Sequence, residues 1–149
     1  MAGMESVAIA LKIIVPTQNG TAIFLGNEEK TFVIYVDNTA GTTLTDTLSG
    51  TRKERPSTHE LTGAAFEGFG IEVKRMVINH AEDGIFHARL SLTMRNELGV
   101  KLVEIDTRPS DALILASREK KPLFILREVL DELEDMSEVL RKITEQQKS

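Results

Sequence analysis

Residues 71–94 of the chain read IEVKRMVINHAEDGIFHARLSLTM, and this stretch decides the fold class. Apolar and polar side chains alternate on both sides of the sequence EDG at 82–84, with Phe86, Leu90 and Leu92 on one face. Alternation with a period of two is typical of a half-buried strand. An Asp-Gly turn joins antiparallel strands. The stretch therefore predicts a hairpin of two half-buried strands.

Further short apolar runs flank this hairpin. Upstream, VAIALKIIV (7–15), TAIFLG (21–26) and KTFVIYV (30–36) are separated by turn-forming sequences. They predict three strands joined by hairpin turns. Downstream, VKLVEID (100–106) and PLFIL (122–126) predict two more strands.

Three short helices are predicted between these strands. The first follows Asp37 or Asn38 as its N-cap. The second has Ser57 as N-cap and Glu60 as capping-box partner, and it stops at Gly68 or Gly70; its apolar side holds Leu61, Ala64, Ala65 and Phe66. The third begins in RPSDA and buries Ala112, Leu113, Leu115 and Ala116. Because strands and helices intermix without a βαβ period, the fold class is α+β (mixed α/β), with a largely antiparallel sheet covered by helices.

The C-terminal segment is predicted to be a long helix. It is rich in Leu, Glu, Arg and Lys and lacks Pro and Gly. Its apolar positions step by three and four, as in a coiled-coil seam: Leu126, Val129, Leu133, Met136, Leu140 and Ile143. Two interpretations stay open, a helix docked on its own domain and a seam that pairs with a second copy. We divide the chain into a domain of residues 1–126 and a helical extension of residues 127–149.

The composition is that of an ordinary globular domain. The chain has 149 residues, 41% of them hydrophobic and 28% charged, which excludes a disordered or collagen-like chain. It contains no cysteine, which excludes disulfides, cysteine-ligated metal sites and a thiol nucleophile. No apolar run reaches the roughly 20 residues that span a bilayer, so we expect a cytoplasmic protein without a membrane partner. The net charge of −5 argues against attraction of nucleic acid by the whole surface, while a local basic patch stays open.

The tripeptide Arg-Pro-Ser occurs twice, at 55–57 and at 108–110, and both times it opens a predicted helix. Arg55 and Arg108 then lie beside unpaired N–H groups at the positive end of a helix, an arrangement that holds a phosphate or a carboxylate. In this reading Ser57 and Ser110 add hydroxyl groups to the same phosphate site. The structural alternative is that each arginine pairs with a nearby acid and fixes the strand-to-helix corner.

Acidic residues surround the second corner. Glu104 and Asp106 lie two apart on a predicted strand and share a face, and Asp111 falls in the first helical turn. Three converging carboxylates suit a hard cation such as Mg²⁺ or Mn²⁺, with Asp106 and Asp111 as its ligands. In the alternative, Asp111 stabilises the helix dipole and Asp106 orients Arg108.

His59 lies in the first turn of the second helix, beside Arg55 and Glu60. It suits the role of a general base, a phosphate donor or a metal ligand. The alternative is a partly exposed helix residue without a chemical role. The chain has no G-x-S-x-G, P-loop, G-x-G-x-x-G or H-E-x-x-H motif, so acyl transfer, nucleotide triphosphate hydrolysis, dinucleotide chemistry and zincin proteolysis have no motif support.

Two segments, RPSTHELTGAAFEGFGIEVKRMVINHAEDGIFHARL (55–90) and VEIDTRPSDALILASREKKPLFI (103–125), resemble the bifunctional nuclease domain family. The resemblance runs from about Val7 to Leu130. The family pattern has Arg-Pro-x-x-His-Asp/Glu opening one helix and Asp-x-Arg-Pro-Ser-Asp-Ala opening another, and both segments are present here. The resemblance implies a compact mixed α/β domain, association into a homodimer or higher homo-oligomer, and the DNase and RNase activities attributed to plant members. Where the family usually shows a Glu-containing helix, this chain has VIYVDNTAGTTLTDTLSG (33–50), without Glu.

Two functions follow as hypotheses. The first is a nuclease that hydrolyses phosphodiester bonds in DNA or RNA, with a possible divalent cation. Its residues would be His59, Glu60, Asp106 and Asp111 in catalysis, and Arg55, Ser57, Arg108 and Ser110 in phosphate binding. The second is a non-catalytic oligomeric binding module, in which both corners are structural or hold a small anion.

Overall fold

The computed structural model describes residues 5–148. Its seven strands are β1 (Ser6–Thr17), β2 (Gly20–Gly26), β3 (Thr31–Val36), β4 (Ile71–Glu82), β5 (Ile85–Asn96), β6 (Gly99–Thr107) and β7 (Leu123–Leu126). Its helices are α1 (Asn38–Ser49), α2 (Thr58–Gly68), α3 (Pro109–Arg118), α4 (Arg127–Glu132) and α5 (Ser137–Lys148). The strands form one open sheet in the order β3-β2-β1-β7-β4-β5-β6. This confirms the predicted α+β class.

Neighbouring strands run antiparallel except β4 and β7, which are parallel. The predicted hairpin at 71–94 is the β4–β5 pair. Its turn residues Asp83 and Gly84 have φ of 52° and 78°, and positive φ at both central residues matches the right-handed twist of the flanking strands. The three predicted N-terminal strands also pair as consecutive hairpins.

One continuous core joins the sheet to its helices. α3 packs across β4 and β5; its predicted buried residues Ala112, Leu113, Leu115 and Ala116 are all buried. In the sheet, Leu90 and Leu92 of β5 belong to the same core cluster. Because alternate strand residues point to opposite faces, this fixes which face of β6 lies towards the helices: Ile105 is paired with Leu90, and Val103 with Leu92.

The helix N-caps agree with the prediction, but the buried side of α2 does not. Asp37 accepts a hydrogen bond from the Ala40 N–H, and Ser57 accepts one from the Glu60 N–H. In α2 the residues expected to be buried, Leu61, Ala64 and Ala65, are exposed, and Phe66 is only half-buried. The reason is that α2 lies at the rim of the core and packs on α3 through a glycine and polar side chains described below.

The C-terminal helix is present, but it is divided into α4 and α5. α4 packs on its own domain, with Val129 and Leu130 buried. The chain turns after α4, where the Lys30 Nζ donates to the main-chain oxygens of Leu130 and Leu133, each at 2.8 Å. The Thr31 oxygen then accepts from the Met136 N–H at 2.7 Å. Because these contacts turn the chain after α4, the apolar residues spaced by three and four do not continue along one helix. No residue of α5 is buried.

No helix within residues 5–148 combines the length and the apolar character needed to cross a membrane.

Candidate functional site

The first turns of α2 and α3 meet through their side chains. His59, the second residue of α2, places Nε2 2.7 Å from Oδ1 of Asp111, the third residue of α3. Arg108, at the N-cap position of α3, donates from Nε to Asp111 Oδ2 at 2.8 Å and from Nη2 to Oδ1 at 3.2 Å. We call these three residues the Asp111 cluster. The fold thus brings together two helix starts that are 52 residues apart in sequence.

Partial burial and hydrogen bonding set the charges in this cluster. The side chains of His59 and Asp111 are 20% and 28% exposed, whereas that of Arg108 is 73% exposed. Burial raises the pKa of Asp111, but hydrogen bonds from Arg108 and His59 outweigh it, and the pKa lies below its ordinary value. Asp111 is therefore an ionised acceptor at neutral pH. Because a carboxylate only accepts, Nε2 of His59 donates in this contact, and Nδ1 is the ring nitrogen that does not face Asp111.

The two helix N-termini differ in their capping. Ser57 caps α2, whereas no side chain caps α3, which begins with Pro109. Within the described part of the chain, the N–H of Ser110 has no side-chain partner, and such first-turn N–H groups attract anions. Of the two predicted anion corners, the one at α3 is therefore the more open.

Arg55 lies on a separate groove, which we call the 50–57 groove because that loop forms one wall. Its volume is about 730 Å³, and the end of α1, the start of α2 and the end of α3 form the other walls. Lys53 pairs with Asp46 at 3.3 Å. Arg55 is exposed and forms no ion pair with any of residues 5–148. Ser57 also lines this groove. The contact between the two Arg-Pro-Ser corners is made by His59 and Asp111, and not by Arg55 and Arg108.

Glu60 belongs to an ion-pair clamp between α2 and α3. Arg118 donates from Nε to Glu60 Oε2 at 3.2 Å and from Nη1 to Glu67 Oε1 at 3.0 Å. Its guanidinium lies over Gly63, where a Cβ atom would approach Arg118 Cζ to 2.5 Å. Burial lowers the pKa of Arg118, but the two glutamates outweigh it and raise that pKa. We call these four residues the Arg118 clamp.

Sequence analysis missed the Arg118 clamp, although α2 carries a signal for it. Glu60, Gly63 and Glu67 are spaced by three and four residues and so share one helix face. The engagement of Glu60 with Arg118 also means that its carboxylate does not act as the predicted capping-box partner; only its N–H takes part in the cap.

The three carboxylates expected at the second corner do not converge. Glu104 accepts from Ser91 at 3.3 Å and lies 4.0 Å from Arg75. Asp106 is paired with Arg89 in the strand register and forms no ion pair within residues 5–148. Both acids alternate with Ile105 and so face away from the helices, whereas Asp111 lies on α3. The alternative in which Asp106 orients Arg108 is also wrong, because Arg108 pairs with Asp111.

This separation bears on the predicted metal site. Among residues 5–148, no three His, Asp or Glu side chains are grouped so as to hold a metal ion. Both oxygens of Asp111 already accept hydrogen bonds from Arg108 or His59. Asp106 and Asp111, on opposite faces, do not fit a shared metal ion in this arrangement.

Comparisons with known proteins agree with the earlier resemblance. A search of curated proteins finds no match. The family model described as the bifunctional nuclease domain matches residues 22–138. This range includes all of the Asp111 cluster and of the Arg118 clamp, most of β2 and the whole of β3 to β7. Since this match covers more than half of the sequence, the chain belongs to the bifunctional nuclease domain family.

Proposed function

We propose that the protein hydrolyses phosphodiester bonds in nucleic acid at the Asp111 cluster. The observation that carries this proposal is the 2.7 Å contact between His59 Nε2 and Asp111 Oδ1, with Arg108 on the same carboxylate. A histidine held by an ionised carboxylate is oriented for proton transfer through its other ring nitrogen. Membership of a family named for nuclease activity supports this reaction class.

The reaction begins with a water molecule that attacks phosphorus. Nδ1 of His59 takes the proton of this water, and Asp111 stabilises the imidazolium that forms. As the new P–O bond forms, the bond to the leaving oxygen breaks with its electron pair, and a solvent proton neutralises that oxygen. His59 then releases its proton to solvent. The neutral ring is thereby restored for the next turnover.

In this proposal the phosphates are bound by the arginines and by the uncapped N-terminus of α3. The exposed guanidinium of Arg108 and the first-turn N–H of Ser110 lie next to the cluster, and charge-assisted donors of this kind stabilise the negative charge of a phosphorane-like transition state. Arg55 and the hydroxyl of Ser57 would contact a phosphate further along the chain of the nucleic acid, at the 50–57 groove. The loop at 50–57 carries three basic residues, Arg52, Lys53 and Arg55, and one acidic residue, Glu54.

A divalent cation remains a separate proposal. No step above passes through a metal ion, and Asp106 contributes to catalysis only if nucleic acid binding brings a cation to it. Mg²⁺ or Mn²⁺ bound with the substrate would supply charge neutralisation at the phosphate.

The test is a cleavage assay on single-stranded RNA and double-stranded DNA with Mg²⁺, with Mn²⁺ and with EDTA. We expect His59→Ala to lower the cleavage rate by about 10²–10⁴-fold, and Arg108→Ala to lower it as well, while circular dichroism shows both variants folded. His87→Ala and Arg95→Ala are the matched controls, because both residues are exposed on β5. No cleavage by folded wild-type protein, or equal losses in the controls, would refute the proposal.

One observation favours the non-catalytic alternative. Arg108 and Asp111 satisfy each other through two hydrogen bonds, as expected of a corner that serves stability. In that case Arg108→Ala would lower the free energy of unfolding only slightly, because the guanidinium is 73% exposed, and it would leave any cleavage rate unchanged.

A further inference from the structure

The 50–57 groove carries charges of opposite sign on different walls. On the loop wall, Arg52 and Arg55 are exposed and form no ion pair with any of residues 5–148. Glu119, the residue directly after α3, lies on the wall formed by the end of that helix. A molecule bound in the groove therefore meets free positive charge on one wall and a carboxylate on another.

Of the acids that line this groove within residues 5–148, Glu119 is the one whose carboxylate has no partner. The other carboxylates on the groove are held by basic residues of the same chain: Lys53 pairs with Asp46, and Arg118 pairs with Glu60 and Glu67. The half-buried side chain of Glu119 forms no hydrogen bond and no ion pair with the described residues. Its oxygens are thus available to a ligand.

The surroundings of Glu119 favour a ligand that donates hydrogen bonds. Burial raises the pKa of Glu119, and the positive charges of Arg118 and Lys121 offset this only in part. A partly buried carboxylate that lacks donors is stabilised when a ligand supplies them. A complementary ligand therefore combines an anionic group for the loop wall with hydrogen-bond donors for Glu119.

The groove adjoins the Asp111 cluster and has room for a nucleotide. Glu60 lines the groove and directly follows His59 in α2. The volume of about 730 Å³ lies in the range of sites that enclose small organic ligands. A nucleotide supplies a phosphate for the loop wall and a base for Glu119, and it can belong to the same strand as a phosphate at His59.

The chemistry of a carboxylate distinguishes among the bases. A carboxylate has two oxygens that only accept, so it matches two hydrogen-bond donors that lie side by side. Guanine presents such a pair, N1–H and the N2 amino group, on its Watson–Crick edge. In adenine and cytosine the amino group lies next to an acceptor nitrogen, and in uracil and thymine the N–H lies between two carbonyl groups. Only guanine avoids placing an acceptor against the second carboxylate oxygen.

We propose that Glu119 binds the Watson–Crick edge of a guanine in a single strand of nucleic acid, next to the phosphate that is cleaved at the Asp111 cluster. This inference rests on the proposed nuclease function and adds its base preference. In a duplex, the same edge of guanine is paired with cytosine, so the groove accepts unpaired guanine. The substrate class is therefore guanine-containing single strands.

The first test maps the cleavage sites on single-stranded RNA of random sequence by sequencing the fragment ends. We expect cleavage by wild-type protein to favour guanine about tenfold or more at one fixed position relative to the cut. Glu119→Gln should lose this preference. Its amide offers one donor and one acceptor, a pattern that each of the four bases can match on its Watson–Crick edge.

Asp46→Asn is the matched control. It makes the same change at another half-buried carboxylate of the groove, one that already pairs with Lys53. The control should keep the guanine preference. Glu119→Gln removes no contact within residues 5–148, so circular dichroism should show it folded.

A titration followed by NMR measures the base preference without cleavage. The probes are the 5′-monophosphates of guanosine, adenosine, cytidine and uridine, and that of inosine, whose base lacks the N2 amino group of guanine. We expect the Kd of guanosine monophosphate to be about tenfold or more below that of the inosine compound. In Glu119→Gln the two values should converge.

The two measurements separate failure of this proposal from failure of the nuclease function. Cleavage without a base preference, or a guanine preference that Glu119→Gln retains, would overturn the proposal. If wild-type protein does not cleave, the titration decides. Equal affinities for the guanosine and inosine compounds would then overturn the proposal, whereas selective binding that Glu119→Gln loses would support the guanine site and refute the nuclease function alone.

Discussion

Replacement of Asp111 by Asn tests the electrostatics of the Asp111 cluster without any assumption about function. The substitution keeps the size of the side chain and removes its charge. Asn can still accept from His59 Nε2, but its NH₂ group then faces the guanidinium of Arg108, where two donors meet. The variant therefore loses the charged acceptor and most of the Arg108 interaction.

The loss of stability expected for Asp111→Asn depends on how exposed Arg108 and His59 are. Since Arg108 is 73% exposed, solvent screens its ion pair with Asp111, and that pair contributes little to stability. The hydrogen bond from half-buried His59 to a charged acceptor adds roughly 1 kcal/mol. We expect Asp111→Asn to lower the free energy of unfolding by about 1 kcal/mol at neutral pH.

The same loss has a defined pH dependence. The pKa of Asp111 is lowered in the folded state from its ordinary value of 3.8. A carboxyl of this kind stabilises the folded state at pH values above its unfolded pKa, and it loses that contribution as the pH falls through the folded pKa. The difference between wild type and Asp111→Asn should therefore shrink as the pH falls below 3.8.

Urea unfolding at a fixed protein concentration, from neutral pH to about pH 3, measures this difference. Asp106→Asn is the control, because Asp106 is exposed and forms no ion pair within the described residues; it should match wild type throughout. A loss in Asp111→Asn that stays the same at both ends of the pH range would mean that packing, and not charge, accounts for the effect.

Three further substitutions test the fold. Lys30→Met removes the donor to the main-chain oxygens at the end of α4 and should lower the free energy of unfolding by about 1–2 kcal/mol, with a matching loss of amide protection in α4. Gly63→Ala forces Cβ against Arg118 at 2.5 Å, whereas Gly68→Ala meets nothing within 4 Å; thermal unfolding should rank the Gly63 variant lower by about 1 kcal/mol. Lys120 has a φ of 57°, so Lys120→Gly should raise stability by about 0.5–1 kcal/mol in urea unfolding.

Local signals account for the parts of the fold that were predicted correctly. The β4–β5 hairpin depends on alternation and on an Asp-Gly turn, both of which act within a few residues. The caps at Asp37 and Ser57 likewise depend on side chains next to the helix start. Such features are readable in one sequence because the interacting groups are neighbours in the chain.

The division of the C-terminal helix was not predictable in this way. The segment from Leu126 to Gln147 is rich in good helix formers and lacks Pro and Gly, and the seam of apolar residues continues through the break. The break is held by Lys30 and Thr31, which are about 100 residues away in sequence. Long-range contacts of this kind override propensity. A local sign of the break is Asp135, which accepts from the Ser137 N–H at the start of α5.

The separation of Asp106 from Asp111 was not predictable from their spacing for a related reason. Asp106 and Asp111 are five residues apart, and sequence proximity suggested a shared site. Between them the chain changes from a strand, where alternate residues face opposite sides, to a helix that packs on one side only. Asp106 thus faces away from the helices while Asp111 faces His59.

The Arg118 clamp connects the fold to the proposed chemistry. His59 and Glu60 are adjacent in the first turn of α2, so the clamp that holds Glu60 on α3 also fixes the position of His59 against Asp111. We expect Arg118→Met, which keeps much of the side-chain volume, to lower the cleavage rate about tenfold by displacing His59, and Arg118→Lys to restore part of it. The His59 ring resonances in the NMR spectrum should shift in Arg118→Met. Unchanged resonances with reduced cleavage would show that Arg118 acts on substrate at the 50–57 groove, and not through the position of His59.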